Sequence, residues 1–249
     1  EWGGHLAEEL EVLIAPQDEN SIAAVIVEPV AGATGILPPP LGYLERLREI
    51  CTKHGILLIF DEVITGFGRV GASFAAKRFD VIPDIITCAK GLTNGVIPMG
   101  AVLIKDEIYN TFMTGPEQMP ELFHGYTYSG HPVAAAAGIA ALEVYEEEGS
   151  FQQARELEEM FADEAHQFDD HPRVIDVRNF GLMAAVELEP RDNAPGTRGL
   201  EVHKRLFWDE NLVIRNTMDI LQFCPFLNAK PEDIRSMFGA VKRVLDTLE

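Results

Sequence analysis

The chain has 249 residues, of which 47% are hydrophobic and 24% are charged, an ordinary composition for a globular protein. Its 20 Lys and Arg against 40 Asp and Glu give a formal net charge of −20. A surface this acidic repels phosphate, which argues against nucleic acid as the main partner. No uncharged apolar run reaches the roughly 20 residues that a membrane span requires, so the sequence predicts a soluble protein.

The first part of the chain reads as alternating strands and helices. Residues 22–27 form an apolar run rich in β-branched side chains, which is typical of a strand buried on both faces of a parallel sheet. Further strands are predicted over 56–60, 85–88 and 101–104, and helices over 42–54, 74–79 and 132–148. This alternation predicts an α/β unit with a mostly parallel sheet.

The pattern changes after Gly149, which follows the long helix where glycine commonly ends one. Helices are predicted over 154–168, 200–210 and 231–248, and short strands over 174–177, 183–188 and 212–215. We therefore predict two domains, residues 1–149 and residues 150–249, of which the second is a smaller α+β domain.

Two predicted strands end in residues that can carry chemistry. The strand over 56–60 runs into Asp61 and Glu62, and the strand over 85–88 is followed by Lys90. Ligands of open α/β sheets bind beyond the carboxyl ends of the strands, so both groups point to one crevice. A lysine that forms a Schiff base and an acid facing a ring nitrogen are the pair that pyridoxal phosphate requires. A structural ion pair explains the same two residues, and spacing alone leaves both interpretations open.

Several segments resemble the class III pyridoxal-phosphate aminotransferases along essentially the whole chain. They are VEPVAG (27–32), DEVITGFGR (61–69), DIITCAKGLTNG (84–95) and HGYTYSGHP (124–132). The sequence is most similar to the branch that transfers the amino group of ω-amino acids such as β-alanine to pyruvate, as judged by IPMGAV (97–102), HGYTYSGHP and LVIRNTMDILQFCPFLNAKPEDI (212–234).

The resemblance implies a partial fold-type I transferase. Residues 1–149 would be the C-terminal part of the cofactor-binding large domain, and residues 150–249 the small domain. Members of this family are longer than 249 residues. The chain also opens without an initiator methionine or a targeting segment, so we expect an N-terminal part of the large domain to be missing.

The resemblance also assigns the cofactor site. Lys90 would bind pyridoxal 5'-phosphate as a Schiff base and would move the proton during catalysis. Asp61 would keep the ring nitrogen protonated, Val63 would pack against the ring face, and Thr127 would donate its hydroxyl to the phosphate, in this family usually that of the neighbouring subunit. A turn hydroxyl that caps backbone amides is the alternative for Thr127.

Two further residues match substrate-binding positions of that branch. Arg215 would bind the substrate carboxylate, since a guanidinium can grip a carboxylate with two hydrogen bonds. Gln222 would lie on the substrate side. Asn216, Thr217 and Met218 stand where glycines are expected, and Ala33 stands where relatives that act on ornithine or 4-aminobutyrate carry a glutamate. Without the resemblance, an arginine here indicates a surface ion pair.

The remaining reactive residues indicate no further site. Cys51, Cys88 and Cys224 form no C-x-x-C pair, which argues against a disulfide framework and a zinc site and fits a reducing cytoplasm. The seven histidines show no metal-binding spacing, so we predict no metal site.

We therefore expect a cytoplasmic aminotransferase that takes a small amine donor and a keto acid acceptor and forms a homodimer or a dimer of dimers. Another class III enzyme, such as a diamine transaminase or an aminomutase, is one alternative. An inactive fragment that lacks the N-terminal part of the site is the other.

Overall fold

A computed structural model describes residues 3–17, 21–116 and 121–248. The chain forms two compact units. Unit 1 comprises Glu1–Pro29, Pro40–Gly66 and Ala76–Glu148, and unit 2 comprises Val30–Pro39, Phe67–Ala75 and Gly149–Glu249. The sequence pattern predicts a single boundary at residue 149, whereas the structure also assigns two short earlier segments, 30–39 and 67–75, to unit 2. Loops of this length show no change in composition, so a boundary drawn from patterns does not detect them.

Unit 1 alternates strands and helices along the chain. Its elements are α1 (Gly4–Ala7), α2 (Glu9–Ile14), β1 (Ala24–Val27), α3 (Tyr43–His54), β2 (Leu57–Asp61), α4 (Ala75–Phe79), β3 (Ile85–Cys88), β4 (Ala101–Ile104), α5 (Asp106–Met113) and α6 (Pro132–Glu147). Every element predicted in this half is confirmed to within two residues at each end. The short helices α1, α2 and α5 were not predicted, because one or two turns give too little apolar periodicity to recognise.

The sheet of unit 1 has the strand order β1, β2, β3, β4. β1 and β2 pair in parallel, as do β2 and β3, while β4 runs antiparallel to β3. Leu58 and Phe60 of β2 are fully buried in a core that they share with the apolar face of α3. This arrangement confirms the predicted α/β unit with a mostly parallel sheet.

The position of β1 corrects one expectation. Among the strands that the structure describes, β1 lies at the edge of its sheet, and Ile26 is 62% exposed. The strand is therefore not buried on both faces, although its apolar composition predicts that it is. Composition alone does not distinguish an edge strand from a central one, because both favour β-branched residues.

Unit 2 is an α+β arrangement, as predicted. Its elements are α7 (Ser150–His166), β5 (Val174–Phe180), β6 (Met183–Leu188), α8 (Thr197–Trp208), β7 (Arg215–Thr217), β8 (Ile220–Phe223) and α9 (Pro231–Leu245). Its strands form an antiparallel sheet in the order β5, β6, β8, β7. The aromatic rings of Phe161, Phe223 and Phe238 join α7, β8 and α9 in one core, with ring centroids 5.1 and 5.5 Å from that of Phe238.

The hairpin of β7 and β8 differs from the prediction. The strand predicted over 212–215 begins only at Arg215, and β8 was missed. The two strands are joined through Met218 and Asp219, and Met218 adopts a left-handed φ of 54°. Asn and Gly are the residues that usually mark such a turn, so a methionine there conceals the hairpin in the sequence.

Within the described ranges, no helix is long and apolar enough to cross a membrane.

Asp84 ties three elements together at the amino end of β3. Its carboxylate accepts hydrogen bonds from Arg48 of α3 at 2.7 Å, from the Leu58 amide of β2 at 2.8 Å and from Lys105 after β4 at 2.7 Å. Burial by itself raises the pKa of Asp84, but the bonds from Lys105, Leu58 and Arg48 outweigh it and hold the pKa below its usual value. Ionised Asp84 is therefore part of the folded unit.

We predict that Asp84→Asn lowers the free energy of unfolding by about 1–3 kcal/mol at pH 7, because charged hydrogen bonds are lost from a largely buried group. A carboxyl whose pKa is lowered on folding stabilises the protein above its unfolded pKa of about 3.9, and this contribution is lost as the pH falls through the folded pKa. The difference between variant and parent should thus be constant above about pH 5 and shrink below about pH 4. Urea unfolding across this range measures it, with the exposed Asp163→Asn as control. A difference that does not change with pH would contradict the assignment.

Candidate active site

Asp61 and Lys90 lie at the carboxyl ends of two adjacent parallel strands. Asp61 is the last residue of β2 and pairs in register with Thr87 of β3. Lys90 follows the end of β3 by two residues. Because β2 and β3 run in the same direction, both residues lie at the same edge of the sheet. This edge is where an α/β sheet binds its ligands.

Lys90 is exposed and has a backbone conformation that is rare for its type. It begins the single 3₁₀ turn Lys90–Leu92 with a φ of 47°, in the left-handed region. Its side chain has neither a hydrogen-bond nor an ion-pair partner within the part of the chain that the structure describes. An amine without a partner is available to bind a ligand.

Asp61 is half-buried and keeps one oxygen available. Its Oδ1 accepts a hydrogen bond from the Val63 amide at 3.1 Å, which fixes the side chain against the turn after β2. Its Oδ2 accepts no hydrogen bond from the described residues. Val63 is itself half-buried beside it. The turn therefore holds Asp61 through one oxygen and leaves the other for a ligand.

Glu62 has a different role from its neighbour, because successive side chains leave a strand on opposite faces. Its side chain is fully buried. Oε2 accepts from the Thr65 hydroxyl at 3.0 Å and Oε1 from the Ala76 amide at 2.9 Å. In the sequence, Asp61 and Glu62 are alike, as two acids at the end of a strand. The alternation of side chains between the two faces of a strand is the signal that distinguishes the half-buried acid from the fully buried one. Glu62 stabilises the turn that carries Asp61.

Cys88 lies between these residues and the core, at the end of β3. Burial raises the pKa of the Cys88 thiol, and the negative charge of Glu62 raises it further, against a hydrogen bond from the Ala101 amide that lowers it. Cys88 therefore remains a neutral thiol, which argues against it as a nucleophile at this edge.

Thr127 belongs to an exposed loop that leads into α6. Turns of this loop are closed by hydrogen bonds from the Tyr126 amide to Ser129 Oγ at 2.8 Å and from the His131 amide to the Tyr128 carbonyl at 3.1 Å. The Thr127 hydroxyl makes no hydrogen bond with Asp61, Lys90 or any other described residue. The capping role considered for this hydroxyl is thus not observed, and the hydroxyl is available to a ligand.

Arg215 and Gln222 face each other across the β7 and β8 pair, in unit 2. Both line an open hollow of about 760 Å³ whose other walls are mainly apolar. The Arg215 side chain is exposed and has no partner among the described residues. A cation at the mouth of an apolar hollow suits a small molecule that carries a carboxylate.

Gln222 has contacts that the sequence did not reveal. Its side chain is buried, and its Nε2 donates to the Thr217 hydroxyl at 2.8 Å and to the Ala33 carbonyl at 3.2 Å. The Thr217 hydroxyl donates in turn to the same carbonyl at 3.1 Å. Gln222 and Thr217 thus hold the segment 30–39 in unit 2. Of the Gln222 side-chain amide, the oxygen Oε1 is left for a ligand.

A third residue, on the strand at the opposite edge of the sheet, holds the same segment. Arg178 of β5 donates from Nε to the Gly35 carbonyl at 2.8 Å and pairs with Glu187 at 2.7 Å. A side chain at Gly35 would approach Arg178 to 2.9 Å, and its φ of 137° also favours glycine. Thr217 and Arg178 were not among the predicted functional residues, because their contacts are distant in sequence.

The two groups at the edge of the unit 1 sheet suit a particular kind of cofactor. A lysine amine without a partner can condense with an aldehyde, and a carboxylate oxygen without a partner can face a protonated ring nitrogen. Together they fit a small heterocyclic cofactor with an aldehyde group. Within the described part of the chain, no group of three or more His, Cys, Asp or Glu residues could hold a metal ion.

Thr217→Val tests the contacts that hold the segment 30–39. The change keeps the shape of the side chain but removes the donor to Ala33 and the acceptor for Gln222, so we expect a loss of about 1–3 kcal/mol in the free energy of unfolding. Amide exchange at Leu37, which donates to the Ala31 carbonyl, should become faster. Thr217→Ser keeps the hydroxyl and should keep the slow exchange of the parent protein at Leu37. Equal exchange rates at Leu37 in Thr217→Val and Thr217→Ser would show that the hydroxyl does not hold the segment.

The chain is similar to known proteins along nearly its whole length. The family model "Aminotransferase class-III" matches residues 1–245. An ω-aminotransferase of Caulobacter vibrioides is 55% identical over all of this chain, which covers 56% of that protein. A β-alanine–pyruvate aminotransferase of Pseudomonas aeruginosa is 49% identical over 98% of this chain, which covers 55% of that protein. The chain thus spans about half the length of the curated relatives it matches.

Solved structures show the same likeness. The ω-transaminase from Pseudomonas jessenii, determined in complex with PMP, superposes on 98% of this chain with a TM-score of 0.92 and 35% identity, and the match covers 55% of that structure.

Proposed function

This chain belongs to the class-III aminotransferase family, and we propose that the protein catalyses pyridoxal-phosphate-dependent transfer of an amino group from an ω-amino acid or amine, such as β-alanine, to pyruvate. Its fold is the α/β fold of the transaminases, as the sequence resemblance implied. The observation that carries the proposal is Lys90, an amine without a partner at the same sheet edge as Asp61. The similarity to a β-alanine–pyruvate aminotransferase supports the choice of substrates.

We assign the cofactor to the residues at this edge. When bound, pyridoxal 5'-phosphate supplies an aldehyde carbon for the amino group and a protonated ring that withdraws electrons from the substrate. Lys90 holds the aldehyde carbon and later moves a proton between the substrate Cα and the C4′ position. Asp61 keeps the proton on the ring nitrogen through its available oxygen, and Val63 packs against the ring. These roles rest on the contacts of the residues and on the family resemblance.

Thr127 is proposed to bind the cofactor phosphate. Its hydroxyl has no partner among the described residues, and its loop leads directly into α6, whose amino end favours an anion. We assign residues 1–149 to the cofactor-binding large domain, of which they form the C-terminal part, and residues 150–249 to the small domain.

Arg215 and Gln222 are proposed to bind the substrate. The exposed guanidinium would pair with the carboxylate of an amino acid donor or of pyruvate, and the Gln222 carbonyl oxygen would accept a hydrogen bond from the substrate. The mainly apolar walls of the adjoining hollow suit the short carbon chain of such a substrate.

We also propose a cytoplasmic homodimer or dimer of dimers. The exposed apolar side chains of α6 support association: Val133, Ile139 and Leu142 are between 47% and 60% exposed. Cys51 and Cys88 are free thiols, which supports a reducing compartment.

Lys90→Ala tests the cofactor assignment. The parent protein with pyridoxal phosphate should show a visible absorbance band that borohydride abolishes, and the reduced adduct should map to the peptide that contains Lys90. Lys90→Ala should lose band and adduct together, since condensation with the aldehyde requires the amine. Lys77→Ala removes an exposed lysine with no partner among the described residues and should keep both. An adduct of equal yield in Lys90→Ala, or none in the parent, would refute the assignment.

Arg215→Lys tests the substrate assignment. Lysine keeps the charge but loses the paired hydrogen bonds, so kcat/KM for β-alanine should fall by roughly 10- to 100-fold. The rate should be measured for the first half-reaction only, in a single turnover without pyruvate, because pyruvate carries a carboxylate that Arg215 would also bind. A primary amine without a carboxylate should react at the parental rate, and an equal loss for both donors would exclude carboxylate binding by Arg215.

A further inference from the structure

The carbonyl group of Gly91, next to Lys90, accepts two hydrogen bonds. One comes from the Asn94 amide at 3.2 Å and closes a turn in the loop that follows β3. The other comes from the phenolic hydroxyl of Tyr145 at 2.8 Å. Tyr145 is buried near the carboxyl end of α6, 54 residues further along the chain. The Gly91 carbonyl thus connects the turn Lys90–Leu92, called the Lys90 turn below, to α6.

The Lys90 turn needs such an anchor because its backbone is strained. Lys90 and Asn94 both have left-handed φ values, 47° and 49°. A side chain with a Cβ is disfavoured in this region, and such a conformation persists only when its surroundings impose it. The exposed Lys90 side chain has no hydrogen bond or ion pair among the described residues that could impose it. The restraint must therefore act on the backbone.

α6 supplies this restraint at a second point. Gly138 of α6 lies against the same loop, where a Cβ would approach the Met99 side chain to 2.7 Å and the Leu92 carbonyl to 3.5 Å. The buried Thr93 hydroxyl closes the loop by donating to the Ile97 carbonyl at 2.6 Å. The helix is thus in close contact with the turn, and Tyr145 donates a hydrogen bond from the helix to the residue that follows Lys90.

We propose that Tyr145 is a positioning residue for Lys90. Its hydroxyl holds the Gly91 carbonyl and so fixes the peptide between Gly91 and Leu92. This restrains the backbone next to Lys90 in the conformation that presents the Lys90 amine at the edge of the sheet. Without this bond, Lys90 can relax to an ordinary φ, and the amine is presented for only part of the time. The proposal rests on the proposed function of Lys90, and it adds a residue that acts through the backbone and touches neither cofactor nor substrate.

Tyr145→Phe isolates the effect, because it removes one oxygen and keeps the buried ring. Loss of one neutral hydrogen bond changes a conformational equilibrium by about 2- to 10-fold. In the protein without cofactor, amide exchange at Asn94 should accelerate by that factor. With pyridoxal phosphate, the rate at which borohydride-reducible adduct forms on Lys90 should fall by a similar factor, because only the presenting conformation reacts.

Two controls separate positioning from general stability. Tyr109→Phe removes the hydroxyl of a half-exposed tyrosine that has no partner among the described residues, and it should leave both rates unchanged. Ala136→Gly weakens α6 at an exposed position and leaves the Tyr145 hydroxyl in place. It should lower the urea midpoint of unfolding without changing either rate.

Each outcome bears on a single claim. Parental rates in Tyr145→Phe, or the same changes in Ala136→Gly as in Tyr145→Phe, would overturn the positioning role. A parent protein that forms no adduct on Lys90 would overturn the proposed function instead, and the amide exchange at Asn94 would still report on the hydrogen bond itself.

Discussion

The parallel pairing of β2 with β3 is the constraint on which the candidate site depends. Because the two strands run in the same direction and pair from Ile59 to Asp61, their carboxyl ends meet at one edge of the sheet. The backbone hydrogen bonds of this pairing bring Asp61 and the strand that leads to Lys90 to that edge. An antiparallel partner, such as β4 is to β3, would place the end of its strand at the opposite edge.

The polar residues of the candidate sites in unit 1 and in unit 2 divide into two groups according to burial. Buried groups such as Glu62, Gln222 and Tyr145 have hydrogen-bond partners within the protein, since an unsatisfied polar group in the interior costs roughly 1–3 kcal/mol. Exposed groups such as Lys90 and Arg215 lack partners among the described residues, because water satisfies them until a ligand arrives. The buried groups stabilise the local structure, and the exposed groups are available to bind a ligand.

Family membership and local geometry supply different parts of the functional conclusion. The class-III match identifies the family, and the relatives support the proposed reaction and substrates. The contacts of individual residues then modify what resemblance alone implies. Gln222, which we propose contacts the substrate, donates a hydrogen bond to the Ala33 carbonyl, so the proposed substrate contact would be linked to the position of the segment 30–39 through one side chain.

Local signals in the sequence determined the α/β and α+β halves, most element boundaries and the positions of Asp61 and Lys90, because periodicity and strand-end polarity act over a few residues. The tertiary structure alone decided the exposure of β1, the β7–β8 hairpin at Met218, and the assignment of the segments 30–39 and 67–75 to unit 2. It also decided which side chains hold the backbone near the proposed site residues, as Tyr145 holds Gly91 and Thr217 holds Ala33. These contacts join residues 54 and 184 positions apart, and no pattern within a short window of sequence encodes a pairing at that distance.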